Sequence, residues 1–495
     1  MTTPLRPAIS PARNRLEGRT IASSKLPAWL FGLKGERVTE SLRSYPTRKP
    51  LLTLLILAVC VRLIGSAFPP NIYNDTDGYV HLAERFLALR LAGYNGLSTP
   101  VYPLLLALTG LNFQVVKYLQ YLLGIGISVT LFRMFFRRTH NATLALVAGV
   151  VFCLNVGELA FEQAILTETL ATFLLSLSAF RLQHVLSDEH VPWTEYALLG
   201  TLVGLTALTR PLYIYLAPLY FVFLVTRPGL APVRSIHLAA FAGSAGALLL
   251  GWSFVNWWNV GYFSISTQMG FGLTNQSGAF IELAPDEYAP IRDPYLKARA
   301  KQIAKTGTHT NTIYRAWDDI KRETGYDDIH LLREVTRMSL QLFVAHPILY
   351  AHGVARSWLR FWVPPLSVGM PFLGGHLKGI SHGPRLLAVL GRTARTIQAK
   401  EILPLMAFNL IFLFFAASTI VQFLRRRLTL GFDQFAIAIV VTASIVQAMV
   451  EFGGNGRFAV PTFPLVIYTV IVGFWSLSSI RGRLWQSLKL AQPWR

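Results

Sequence analysis

Predominantly apolar runs recur along this chain at residues 50–68, 114–136, 142–157, 163–183, 195–209, 211–226, 236–258, 402–424, 433–452 and 457–478. A helix rises 1.5 Å per residue, so about 20 residues cross the roughly 30 Å of hydrocarbon in a bilayer. Composition agrees: of 495 residues, 53% are hydrophobic and only 14% charged. A soluble domain carries roughly 25% charge, and this chain cannot clothe a water-facing surface. The expectation is an all-α, polytopic membrane bundle of about 10–12 transmembrane helices, with further helices lying at its outer face. The two cysteines, Cys60 and Cys153, each fall inside an apolar run and imply no disulfide framework.

Charge orients the bundle. The arm at 1–49 holds ten Lys and Arg against three acids, and the first apolar run follows it without a signal-peptide cleavage pattern. Lys and Arg are retained on the cytoplasmic side. With the arm inside, the next inside loops should be basic too, and they carry Arg133, Arg137 and Arg138, then Arg227 and Arg234, then Arg425, Arg426 and Arg427, then Arg481 and Arg483. Ten crossings return the C-terminus inside. The chain thus divides into a basic, disordered cytoplasmic arm (1–49), a transmembrane domain (50–480, with an outer loop at 259–400) and a cytoplasmic tail (481–495). The net charge of +21 is spread over these segments and suits anionic membrane lipids, not nucleic acid.

Acids are placed differently. Of 25 Asp and Glu, ten lie in 259–400, and Asp75, Asp77, Glu84, Glu158, Glu162, Glu168 and Glu451 sit at outer ends of spans. Ionisable groups near membrane depth are costly and mark polar cavities or pathways. In the first outer loop Asn74 is a good N-cap, with Tyr79, Leu82, Ala83, Phe86 and Leu87 at helical spacing behind it. This predicts an amphipathic interfacial helix with Asp75 and Asp77 in its first turn. Such carboxylates can cap the helix, accept a hydroxyl proton, orient a nucleophile or hold a hard divalent cation. Arg210 and Arg457 fall at the same outer level and can bind phosphate bidentately, or serve as structural ion pairs or snorkelling side chains. Glu168 can hydrogen-bond sugar hydroxyls or pair with one of these arginines. Residues 331–362 read as surface helices broken at His346-Pro347, and Trp257, Trp258, Trp358 and Trp362 as interfacial aromatics. Metal-binding Cys/His spacings, P-loops and dinucleotide fingerprints are absent from the sequence.

Five segments, in order, carry a resemblance: Asp75 with Tyr79 and Ala83 at steps of four; Thr99-Pro100-Val101-Tyr102-Pro103; Leu166-Thr167-Glu168-Thr169-Leu170; Leu208-Thr209-Arg210-Pro211; and Glu451 to Pro461 with Gly456-Arg457-Phe458. They resemble the motifs of the C-type membrane glycosyltransferases, the superfamily of protein mannosyltransferases and of the transferases that add aminoarabinose or galacturonic acid to lipopolysaccharide. Two positions depart from it: Thr76 follows Asp75 where many relatives have Glu, and Thr99 stands where the aminoarabinose transferases have Lys.

The resemblance implies a membrane glycosyltransferase that moves a sugar from a polyprenyl-phosphate-linked donor to a glycan, glycolipid or protein acceptor, with inversion by single displacement. It implies a multi-pass protein of a bacterial cytoplasmic (inner) membrane, with its active site on the outer, periplasmic face. Asp75 is then the base, with Asp77 assisting it or sharing a divalent cation (Mg or Mn) with it, and no nucleotide cofactor takes part. Arg210, Arg457, Glu168 and Tyr79 form the donor and substrate set. Two other readings stay open at the sequence level: a surface-polysaccharide polymerase or ligase, and a lipid or solute transporter.

Overall fold

The computed structural model describes residues 45–188, 190–226, 235–364, 385–425, 430–453 and 455–490. The basic arm up to residue 44, with Arg227, Arg234, Arg426 and Arg427, lies outside the described residues. Residues 49–495 form one unit, distinct from 1–48. The regular structure of the described residues is helical, apart from one isolated parallel bridge, Asn71 to Ala164.

The helices are α1 (Tyr45–Ser66), α2 (Asn74–Leu87), α3 (Val101–Leu108), α4 (Phe113–Thr139), α5 (Ala142–Cys153), α6 (Val156–Gln163), α7 (Glu168–Ser187), α8 (Trp193–Thr209), α9 (Leu216–Val225) and α10 (Ser235–Val260). After them come α11 (Met269–Ser277), α12 (Ala289–Thr306), α13 (Thr312–Thr324), α14 (Asp328–Ala345), α15 (Pro347–Phe361), α16 (Arg385–Leu424), α17 (Phe432–Val450), α18 (Asn455–Ala459) and α19 (Phe463–Leu490).

Seven of these segments are long and apolar enough to cross a membrane: Thr47–Ser66, Phe113–Thr139, Glu168–Ser187, Ser235–Val260, Ala399–Leu424, Phe432–Val450 and Asn455–Ser478. An eighth is the pair α5 and α6, bent by 56°. The ten spans expected from sequence are therefore not ten full-length helices. The runs at 195–209 and 211–226 become the 17-residue α8 and a shorter 3-10-plus-α segment, Pro211–Val225. α8 nevertheless joins the two ends of the bundle. Arg181 near the end of α7 pairs with Glu195 at the start of α8 (2.7 Å), while Arg210 after α8 pairs with Glu168 at the start of α7. Two helices pinned at both ends run antiparallel over their whole lengths, so α8 makes the same passage as α7.

Two span boundaries also move. The apolar run at 142–157 breaks at Leu154, where the Asn155 side chain accepts from the Glu158 N–H (3.0 Å) and caps a new helix. Residues 164–167 are a non-helical link, so the next span starts at Glu168 and not at 163. At the other margin, α16 begins at Arg385, well before the expected 402, and α19 runs to Leu490 through part of the expected tail.

Burial ranks the spans. In the most apolar stretch of α7 72% of residues are buried inside the protein, against 17% in α10 and 11% in α16. α7 is therefore central, and α10 and α16 present Phe254, Trp258, Leu410 and Phe414 outward. A bundle whose periphery is as apolar as its core is what hydrocarbon as solvent requires. Inside it Arg62 grips Glu162 through two hydrogen bonds (2.5 and 2.7 Å), both side chains 3% exposed. Lys117, fully buried, donates to the carbonyls of Ser66 and Phe68 beyond the end of α1 (3.1 and 2.7 Å). Helices α11 to α14 close over a separate apolar core that includes Phe271, Tyr295, Ile320, Val335 and Met338. As expected, the 331–362 stretch breaks at His346, between α14 and α15.

Candidate functional site

The site is built on a short link that sequence alone would place in hydrocarbon. Asn71 exchanges backbone hydrogen bonds with Gln163 and Ile165 (2.9 and 2.8 Å), laying the approach to α2 beside residues 163–165. The Gln120 amide, fully buried in α4, donates to the carbonyls of Glu162 and Ala164 (2.9 and 2.8 Å) and accepts from the Tyr102 hydroxyl (2.9 Å). Thr76 then fixes the first turn of α2: its hydroxyl donates to Ile165 O and accepts from the Tyr73 N–H, both at 3.0 Å. The cap residue is Tyr73, not Asn74, which is already the first helical residue.

On this frame four expected residues come together. Glu168, with no exposed surface, sits between two guanidiniums: Arg210 Nη1 lies 2.6 Å from its Oε1, and Arg457 Nε donates to the same oxygen. Arg457 Nη1 also donates to Asp75 Oδ2 (2.6 Å). The result is an alternating row, Asp75, Arg457, Glu168, Arg210, whose four charges cancel. Glu168 and Arg210 are buried, whereas the Asp75 side chain keeps 49% of its surface. Of the two carboxylates, only Asp75 can meet a substrate. Arg210 is further held by Thr167 Oγ1 (3.4 Å) and by the Phe458 ring, 5.0 Å from its Cζ.

Tyr79, one turn after Asp75, packs edge-on against Tyr102 (centroids 5.3 Å apart). Desolvation raises its phenol to about 12, with the Asp75 carboxylate adding to the shift and Arg457 opposing it. It is a protonated donor at neutral pH. Asp77 does not join the row. Residues two apart lie about 200° apart around a helix, so Asp75 and Asp77 face different ways. Asp77 is exposed, with no ion pair among the described residues. A divalent cation shared by the two, as read from sequence, is not supported by this geometry. Among the described residues no three His, Cys, Asp or Glu side chains gather where they could hold a metal.

The structure adds a third carboxyl that the sequence reading left without a role. Glu451 follows α17, and its Oε1 accepts from Asn275 Nδ2 (2.8 Å) and the Phe452 N–H (3.1 Å). Burial raises its pKa to about 8; these hydrogen bonds oppose the shift and the Asp75 charge adds to it. At neutral pH it is a carboxylic acid that can donate. The loop beyond it needs Gly453: its φ is +147°, and a Cβ there would strike Thr310. The sequence signals for Glu451 were its place at a span end and at the head of the Glu451 to Pro461 segment. For Gln120 it was a polar amide in mid-span, which a membrane tolerates only with partners.

A basic rim borders this loop. His309 stacks on Phe452 (5.0 Å, 14°), and the guanidiniums of Arg356 and Arg360 lie 5.8 and 4.8 Å from the same ring. His346, between α14 and α15, and His352 on α15 take no part in the row.

Fold and site together define a multi-pass, all-helical membrane protein with a buried row of alternating charges at one end of its bundle. The chain matches no known protein-family model, no curated protein and no solved structure.

Proposed function

We propose that this protein is an inverting membrane glycosyltransferase that takes its sugar from a polyprenyl-phosphate-linked donor and passes it to a glycan, glycolipid or protein acceptor on the outer face of the membrane. One observation carries the reading: Asp75, the exposed carboxylate at the end of a largely buried charge row, is paired with Arg457 and shares the row with Arg210, and both arginines keep unused N–H donors. It agrees with the resemblance of the Asp75, Thr209-Arg210-Pro211 and Gly456-Arg457-Phe458 segments to the C-type superfamily.

In the proposed step an acceptor hydroxyl oxygen attacks the anomeric carbon while the bond from that carbon to the phosphate oxygen breaks. The hydroxyl proton passes to Asp75, and the leaving lipid monophosphate carries away the bonding electron pair. Arg457 and Arg210 each have five N–H donors, of which the row uses only some, so a phosphate can be added without dismantling it. Glu168 holds both guanidiniums in register from a position no substrate reaches, and is a positioning residue. Tyr79 and protonated Glu451 supply hydrogen-bond donors for sugar oxygens.

Mass spectrometry of envelope glycans and lipids from cells with and without the gene tests the assignment. The expected result is a glycan or lipid that loses one glycosyl residue when the gene is absent and regains it on complementation. Identical profiles under conditions where the gene is expressed would contradict it.

A further inference from the structure

Beside the charge row, but separate from it, an open cleft lies between α6, the end of α15, α16 and the α18–α19 corner. Its walls are mainly apolar, with Phe361, Trp362, Ile402 and Phe463 prominent. Two carboxyl side chains line it, Glu158 and Glu401, and no Lys or Arg does. Glu401 accepts from the Val156 N–H at the start of α6 (3.1 Å), which holds it in place. Glu158 is 7% exposed, and its carboxyl forms no hydrogen bond or ion pair among the described residues. A buried acid without a partner is costly, and it becomes favourable when a ligand brings the partner.

We infer that this cleft binds an amphiphile with a hydrocarbon chain and a primary ammonium head, the chain lying on the aromatic wall and the ammonium held by Glu158. An ammonium offers three N–H donors and one positive charge, which suits an unpartnered carboxyl in a cleft lined by two acids and no counter-cation. A phosphate head is repelled by the same pair, so this is not the binding place of a lipid phosphate. The inference stands on the cleft alone and does not depend on glycosyl transfer.

The test uses the full chain in phosphatidylcholine nanodiscs and three photoactivatable octadecyl probes with identical tails, bearing an amine, an alcohol or a phosphate. Cross-linked peptides are mapped by mass spectrometry. The amine probe is expected to label peptides spanning 156–163, 401–409 or 459–466 about ten-fold more than the other two, since a buried charge partner is worth at least that factor. Glu158→Gln should bring amine labelling down to the alcohol level, and Glu158→Asp should retain the preference. Equal labelling of the wild type by amine and alcohol, stronger labelling by phosphate, or an unchanged preference in a folded Glu158→Gln protein would each overturn it. If Glu158→Gln does not fold, the head-group ranking on the wild type decides alone.

Discussion

Asp75, Glu168, Arg210 and Arg457 were all legible as candidates because charges at the ends of apolar spans are expensive and rarely idle. Their pairing was not legible: Arg457 reaches Glu168 across 289 residues of sequence and Asp75 across 382. The resemblance singled out Asp75 over Asp77, and the helix turns the two to different faces. In the proposed reaction Asp75→Asn keeps the shape and the Arg457 hydrogen bond but loses basicity, and transfer should fall by about 10²–10⁴-fold in a folded protein. Asp77→Asn, at an exposed position, should change stability by less than about 0.5 kcal/mol and leave turnover near wild type. Parallel transfer assays and melting curves on the two variants check both. Glu451 carries a pH prediction. Its folded pKa of about 8 lies above its ordinary 4.5, so the native state holds a proton that the unfolded state releases first. Its contribution to stability is full below about 4.5 and is lost as pH rises through about 8. Glu451→Gln, which imitates the protonated acid, should flatten that part of the stability–pH profile. A profile from pH 5 to 9 that is the same in both proteins would refute the assignment.

At the scale of helices, hydrophobic periodicity located every span but not how each one ends. The run from 142 to 157 is apolar enough to read as one helix, yet the Asn155 cap starts a new one and bends the path. That bend turns the Glu162 side of α6 toward Arg62, a partner from another span. A membrane interior leaves a buried charge no water to fall back on, so removing one member should cost about 3–5 kcal/mol. Thermal unfolding in detergent should show this loss for Glu162→Gln, and a smaller one when Arg62→Met is combined with Glu162→Leu. Gly124 belongs to the same contact: a Cβ there would strike the Glu162 carboxylate and Arg62. Gly124→Ala should cost about 1–3 kcal/mol by overpacking. Gly124→Ala and Glu162→Gln proteins as stable as the wild type would show that the pair does not lock α1 to α6.

Across the whole molecule, the all-helical, multi-pass class follows from composition and run length, since continuous apolar runs of this length fit helices and not the short alternating strands of a membrane barrel. The shorter passages were the weak point, because length alone does not recognise α8 as a crossing; the ion pairs at both ends of α7 do. The architecture puts residues 74–100, 165–167, 210, 451–453 and 455–457 at one end of the bundle and 188, 190–195 and 433 at the other. Single cysteines labelled from one side of the membrane should divide into these two sets, and residue 330 should label with the first. The central claim, that the exposed carboxylate of the charge row drives sugar transfer, meets its most direct test in one assay. Purified protein in nanodiscs would be given a polyprenyl-monophosphate donor with a radiolabelled sugar and a membrane extract as acceptor. The account predicts label moving into the acceptor with the wild type and falling by about 10²-fold or more with Asp75→Asn of equal melting temperature. Transfer at the wild-type rate by that variant would contradict it.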